Sequence, residues 1–299
     1  MIETNLVCKS FGTIRALDSV STSIRSGAVY GIIGSNGAGK STYLRVLAGV
    51  LKPDSGTATI DGTEIFENHA VKERCFYISD EQYFLPGSTP EEMERYYRMF
   101  YPKFDHDRFM MLINGFGLDP KRKIRTFSKG MKKQVSVICA MASGAQYLFC
   151  DETFDGLDPV ARQAVKSLFA MDVAERGITT VIASHNLREM EDICDHVGLL
   201  HKGGILLSRD LDDMKMFIQK VQCLPGDIPL GTLFDGFEIM NSEWRGKMLT
   251  ATVRGERAEL EESLRQFGLT YYEMIPLTLE EIFVAETEVT GYDIKSLIL

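Results

Sequence analysis

An apolar, largely β-branched run, Ala28-Val29-Tyr30-Gly31-Ile32-Ile33, gives way to Gly34-Ser35-Asn36-Gly37-Ala38-Gly39-Lys40-Ser41-Thr42, and a helical stretch from Ser41 to Leu51 follows. The middle segment satisfies the pattern G-x-x-x-x-G-K-[ST] at every position. Glycines at this spacing let backbone N–H groups turn inward around a polyphosphate, and the helix that follows adds the positive end of its dipole. Lys40 is then expected to reach the β- and γ-phosphates and the Ser41 hydroxyl to ligate Mg²⁺. A strand before the loop and a helix after it are the context this chemistry needs. Few other short segments constrain a fold so strongly.

A second half-site is expected at Tyr147-Leu148-Phe149-Cys150-Asp151-Glu152, a hydrophobic strand ending in two carboxylates. Ligands bind at the carboxyl ends of strands in a parallel sheet. There Asp151 can hold the Mg²⁺ shell and Glu152 can polarise an attacking water. Around these segments the pattern alternates. Strand-like runs stand at residues 2–7, 20–24, 147–150, 179–183 and 197–200, with helical periodicity between them and a helix-rich insert at about 85–145. Asp61-Gly62 marks a hairpin turn. This predicts an α/β domain with a mostly parallel core sheet over residues 1–215. Beyond Ser208 the texture changes: a helical piece at Leu211 to Lys220, a break at Pro225-Gly226-Asp227, then short strands and helices. We expect a small α+β unit over 225–299, with the boundary near 215–225.

Four blocks together, in order and spacing, resemble the ATP-binding cassette (ABC) proteins: the Gly34–Thr42 loop, Phe127-Ser128-Lys129-Gly130-Met131-Lys132-Lys133-Gln134, Asp151-Glu152-Thr153-Phe154-Asp155-Gly156-Leu157-Asp158, and Ser184-His185. The resemblance covers roughly residues 2–210 and looks most like the ATPase subunits of bacterial multidrug and antimicrobial-peptide exporters. It implies a P-loop NTPase of the ABC ATPase type, with antiparallel strands at the N-terminus and a helical insert. ATP and Mg²⁺ are the implied cofactors. By the same resemblance Phe11 stacks on adenine, Ser128 and Gly130 contact the γ-phosphate bound to an opposite subunit, and Asp158 belongs to the loop between two sites. His185 contacts the γ-phosphate and the catalytic Glu152. Three positions depart from the family pattern: Lys129 for a glycine, Met131 for a glutamine and Thr153 for a proline. The family's glutamine loop falls within residues 77–82, where Asp80 has the spacing and Gln82 the residue type; the reading leans to Gln82 as the metal-facing residue. His69, His106, His196 and His201 are read as structural.

The chain carries a net charge of −9, which argues against a general nucleic-acid binder. The basic clusters at Lys121 to Lys123 and at Lys132-Lys133 are read as solvated faces or loop ends. The six cysteines lie far apart, with no Cys-x-x-Cys pair, so reduced, mostly buried thiols are expected. No stretch has the length and apolarity of a membrane-spanning helix, and the first residues lack the order of a signal peptide. Any membrane role must then come through a partner, and the resemblance implies separate transmembrane permease subunits and a second ATPase chain, either identical or a paralogue, with no nucleic acid. The expected place is the cytoplasm, peripheral to the inner face of the cell membrane. The competing readings are a nucleotide-switched regulator or scaffold with little turnover, and a soluble cassette protein acting on ribosomes or DNA.

Overall fold

The computed structural model describes residues 1–289. Two units divide the chain, Met1–Ser208 and residue 209 onward.

In the first unit β1 (Ile2–Phe11) and β2 (Ile14–Ile24) form a long antiparallel hairpin. After β3 (Val29–Ile33) come α1 (Lys40–Leu47), β4 (Ser55–Ile60), β5 (Thr63–Glu64), α2 (His69–Lys72) and β6 (Cys75–Ile78). Three helices then precede the next strand: α3 (Pro90–Arg98), α4 (His106–Gly115) and α5 (Lys129–Ala142). The unit continues with β7 (Tyr147–Asp151), α6 (Pro159–Arg176), β8 (Thr179–Ser184), α7 (Leu187–Glu191), β9 (His196–His201) and β10 (Gly204–Asp210). Helix α1 stops four residues before the expected Leu51, because Gly49 takes a left-handed φ of 66° and turns the chain.

Two sheets result. One is antiparallel, in the order β2-β1-β4-β5. The other runs β10-β9-β3-β8-β7-β6, with β9 through β6 parallel to their neighbours. Strands β3, β7 and β8 are buried at every residue, as a parallel sheet covered on both faces requires. Helix α1 is tied to the antiparallel sheet by a buried hydroxyl network. Tyr43 Oη lies 2.5 Å from Thr22 Oγ1 and 3.2 Å from Thr4 Oγ1. A buried polar network satisfied in this way fixes one docking of the helix. It therefore also fixes where the Gly34–Lys40 loop stands.

The second unit contains α8 (Leu211–Phe217), β11 (Ile218–Cys223), α9 (Leu230–Leu233), β12 (Glu238–Arg245), β13 (Met248–Arg254), α10 (Arg257–Gln266), β14 (Tyr272–Ile275) and α11 (Leu279–Val289). Its antiparallel sheet has the order β12-β13-β11-β14. From β11 to β14 the connectivity is β-α-β-β-α-β, the split βαβ arrangement. Its core is built by Val221, Cys223, Leu249, Ala251 and Val253 of the sheet with Leu260 and Leu264 of α10. Two sequence expectations shift here. The helix expected over Leu211 to Lys220 ends at Phe217, and Ile218 opens the sheet's central strand. The Pro225-Gly226 break thus lies inside this unit, and the division falls at Ser208 rather than at 215–225.

Candidate functional site

The sheet order makes the carboxyl ends of β3, β8, β7 and β6 neighbours. After β3, the Gly34–Gly39 loop is pressed against the strands around it. A Cβ on Gly34 would lie 2.3 Å from Leu200 O, and one on Gly39, whose φ is 109°, would lie 2.4 Å from Ala16 O. Only glycine fits at either place. Ala38 is buried, Ser35 half-buried, and Asn36 and Gly37 form an exposed tip. Gly39 gives α1 no side-chain cap, so the N–H groups of the first turn, which includes Ser41 and Thr42, are those a helix leaves for an outside acceptor.

Lys40 folds back over this loop. Its Nζ donates to Gly34 O (2.6 Å) and Ser35 O (3.2 Å) and lies 3.6 Å from Glu152 Oε1. Burial pushes its ammonium below the usual lysine range, and the Glu152 charge opposes that shift. Ser41 Oγ donates to Asp151 Oδ1 at 3.0 Å. The other oxygen, Asp151 Oδ2, accepts from Tyr77 Oη at 3.0 Å. Burial, reinforced by the neighbouring carboxylate, pushes the Tyr77 phenol up to about 12, so it stays a donor at neutral pH. Two hard oxygen donors from opposite elements, Ser41 and Asp151, suit a small divalent cation beside a bound phosphate. The residues present therefore fit both a polyphosphate and Mg²⁺.

Glu152 stands just beyond β7 with a left-handed φ of 45°, uncommon for a residue with a Cβ. Its N–H donates to Ala183 O at 3.0 Å, and its Oε2 lies 2.9 Å from His185 Nδ1. One cluster thus gathers Lys40 and Ser41 at the start of α1, Asp151 and Glu152 at the end of β7, and His185 just after β8, all at the carboxyl ends of the parallel strands.

The remaining candidates make other contacts, and none of the described hydrogen bonds or ion pairs joins them to that cluster. Phe11 ends β1 as an exposed residue, with the Lys9 ammonium 5.8 Å from its ring centroid. Ser128 caps α5, its Oγ accepting from Met131 N at 3.1 Å. A Cβ on Gly130 would sit 2.9 Å from Gly156 O, and Lys129 pairs with Asp155 at 3.3 Å, so the start of α5 abuts the segment that follows Glu152. Asp158 caps α6 through Oδ1, which accepts from Val160 N and Ala161 N. Gln82 turns its amide onto Ser79 O (3.0 Å) and Asp80 O (2.5 Å), both in its own loop.

Two residues of the site were not read from the sequence. Tyr77 is one; its place on β6, beside β7, was its only signal. Lys133 is the other. It is fully buried rather than solvated, and its Nζ donates to Glu152 O at 2.8 Å. Helical period gives no signal for it, because α5 is buried continuously from Lys133 to Ala142.

The sequence profile of the ABC transporter family matches residues 17–155. The Bacillus subtilis ABC transporter ATP-binding protein YtrB is 31% identical over 287 residues, covering 96% of this chain and 98% of its own length. The chain belongs to the ABC transporter ATP-binding proteins. The bacitracin transport ATP-binding protein BcrA of Bacillus licheniformis is also 31% identical, over 72% of this chain and 71% of its own length. A solved ATP-binding subunit of an ABC transporter superposes with a TM-score of 0.67 at 27% identity, over 72% of this chain and 92% of that one. A dimeric ATP-binding cassette in a post-hydrolysis state with ADP and Pi superposes with a TM-score of 0.65 at 21% identity, over 71% and 99%, and so shares the fold. The fold is thus that of an ABC ATPase cassette followed by a second, α+β unit. Among the described residues no helix is long and apolar enough to cross a membrane, and no cluster of His, Cys, Asp or Glu outlines a further metal centre.

Proposed function

We propose that this ABC protein hydrolyses ATP with Mg²⁺ and powers transport through separate membrane subunits. The observation that carries the reading is the single cluster of Lys40, Ser41, Asp151, Glu152 and His185 at the carboxyl ends of the parallel strands. The triphosphate lies along the Gly34–Gly39 loop, and Lys40 exchanges its two main-chain acceptors for phosphate oxygens. Ser41 and Asp151 hold the Mg²⁺, which when bound offsets the charge on the transferred phosphoryl group. Glu152 takes a proton from the attacking water, and His185 orients that carboxylate.

Phe11 is the adenine platform in this reading. Ser128, Gly130 and Asp158 belong to the face a second ATPase chain covers, whether a copy or a paralogue; the dimeric cassette among the structural neighbours supports that arrangement. The names of relatives, which include bacitracin and lantibiotic transport proteins, support export of an antibiotic, peptide or drug as the work performed. The chain then acts at the cytoplasmic face of the membrane. The test is phosphate release and ATP binding by the purified chain. The parent should turn over MgATP, and Lys40→Ala should lose ATP binding, since the lysine supplies charge-assisted bonds that neutral N–H groups only partly replace. Binding without turnover in the parent would instead support a nucleotide-controlled switch, and unchanged binding in Lys40→Ala would remove the reading altogether.

A further inference from the structure

Lys133 is 0% exposed, yet it carries an ammonium group into the interior of the first unit. Its Nζ donates to Glu152 O (2.8 Å) and Asp80 O (3.2 Å) and reaches Asp80 Oδ1 at 3.3 Å. Three acceptors match the three N–H bonds of a lysine head group. They come from two different loops, one after β6 and one after β7, while Lys133 itself rides on α5, whose first turn touches the segment after Glu152.

What the lysine grips matters. Glu152 has the left-handed φ of 45°, a conformation that persists only where its surroundings over-determine it. Its N–H is held by Ala183 O, and its carbonyl accepts from Lys133 Nζ at 2.8 Å and from Asp155 N at 3.2 Å. With both main-chain groups fixed, the Cα–Cβ direction is fixed, and the carboxylate is aimed between Lys40 and His185. Packing alone does not explain the choice of residue. Methionine has nearly the same length and fills such a position without burying a cation, which is costly to desolvate.

We infer that Lys133 is a positioning residue for ATP hydrolysis, acting through the Glu152 backbone, and that its bond to Asp80 makes the loop after β6 part of the same clamp. This rests on the hydrolytic reading of Glu152. The clamp adds to that reading a mechanical link: a displacement of the 79–82 loop alters the lysine's hold on the peptide that aims Glu152.

The experiment compares Lys133→Met, Lys133→Arg and Asp80→Asn with the parent, measuring phosphate release at saturating MgATP, ATP affinity by titration calorimetry and the melting temperature. Misplacing a reacting group by about 1 Å can cost roughly 10²-fold. Lys133→Met should therefore lower kcat about 10- to 100-fold while ATP affinity stays within about threefold, because the Lys40 loop is untouched. Lys133→Arg, which can still donate to Glu152 O, should recover part of kcat. Asp80→Asn, on a half-exposed side chain, should lower kcat a few-fold at unchanged melting temperature and have no further effect in the Lys133→Met background. Parental kcat in Lys133→Met, or a loss of turnover that merely tracks a loss of binding sites, overturns the inference. If Lys133→Met does not fold, Asp80→Asn decides: parental kcat there removes the clamp. A parent that binds ATP without hydrolysing it removes the hydrolytic reading itself, which is a separate result.

Discussion

Glu152→Gln changes one atom of the cluster while keeping its length. In the structure Oε1 lies 3.6 Å from Lys40 Nζ and Oε2 lies 2.9 Å from His185 Nδ1. At an effective dielectric of about 20, opposite unit charges at that first distance attract by ~4.6 kcal/mol before desolvation is counted. The carboxylate therefore competes with phosphate for Lys40, and the amide does not. ATP affinity should be equal to the parent's or tighter. Turnover should fall about 10²- to 10⁴-fold, the usual loss when a general base is removed, which corresponds to ~3–5 kcal/mol of barrier. His185→Ala removes only the orienting contact and should cost about tenfold to a hundredfold. Since both changes act on one proton transfer, the double variant should be no slower than Glu152→Gln alone. Stopped-flow phosphate release at saturating MgATP measures the rates, and calorimetry without Mg²⁺ measures the affinity. A parental rate in Glu152→Gln refutes the assignment of the base. A double variant slowed by the product of the two single effects refutes the coupling to His185.

Other outcomes follow from single contacts. Tyr77→Phe leaves Asp151 Oδ2, on a carboxylate only 1% exposed, without its tyrosine donor; the Mg²⁺ concentration for half-maximal turnover should change severalfold while Mg²⁺-free ATP affinity does not, and equal Mg²⁺ curves would refute a role at the cation site. Cys8 is brought down to about 7 by hydrogen bonds from Arg15, Ser55 and Ser19, whereas burial pushes Cys75, Cys139, Cys150, Cys194 and Cys223 up. Because a lowered pKa enlarges the thiolate fraction, iodoacetamide should label Cys8 first in the native chain, at a rate that rises through pH 7 and levels off above about pH 8; a rate still climbing steeply at pH 9 would contradict this. A chain ended after Asp210 should fold and bind ATP, while one ended after Gly226 keeps β11 without its partners β13 and β14 and should aggregate through the bare edges. Size-exclusion chromatography and ATP binding test the pair, and the opposite behaviour would return the boundary to the Pro225-Gly226 break.

Much of the first unit could be read from local chemistry. The Asp61-Gly62 pair takes φ values of 51° and 76°, the double left-handed turn such a dipeptide favours, and β4 and β5 flank it. The apolar runs before Gly34 and Asp151 became interior strands because a parallel sheet covered on both faces leaves no place for polar alternation. Strand β11 escaped for a definite reason. Leu211, Met214 and Phe217 recur at helical spacing, and that period carries the eye past Phe217. Only the two-residue alternation of Val221 and Cys223 signals a strand, and its partners lie far along the chain, the nearest pair being Cys223 with Leu249, beyond the reach of local propensity.

The site divides along the same line. Lys40, Ser41, Asp151 and Glu152 were legible because each needs only its own segment: a loop with its helix, a strand with its polar end. Gln82 and Lys133 depend instead on which loop faces which helix. For Gln82, residue type suggested a ligand, but the 79–82 loop closes on itself and takes up the amide. For Lys133, charge suggested solvent, yet it opens the stretch of α5 that is buried all round, where Asp80 and the Glu152 carbonyl satisfy the ammonium. Burial pushes its ammonium below the usual lysine range, and the Asp80 charge opposes that shift. A charged residue on the apolar face of a helix poses the question of its counter-group. Here Asp80 is that counter-group, and the lysine that holds it also holds Glu152.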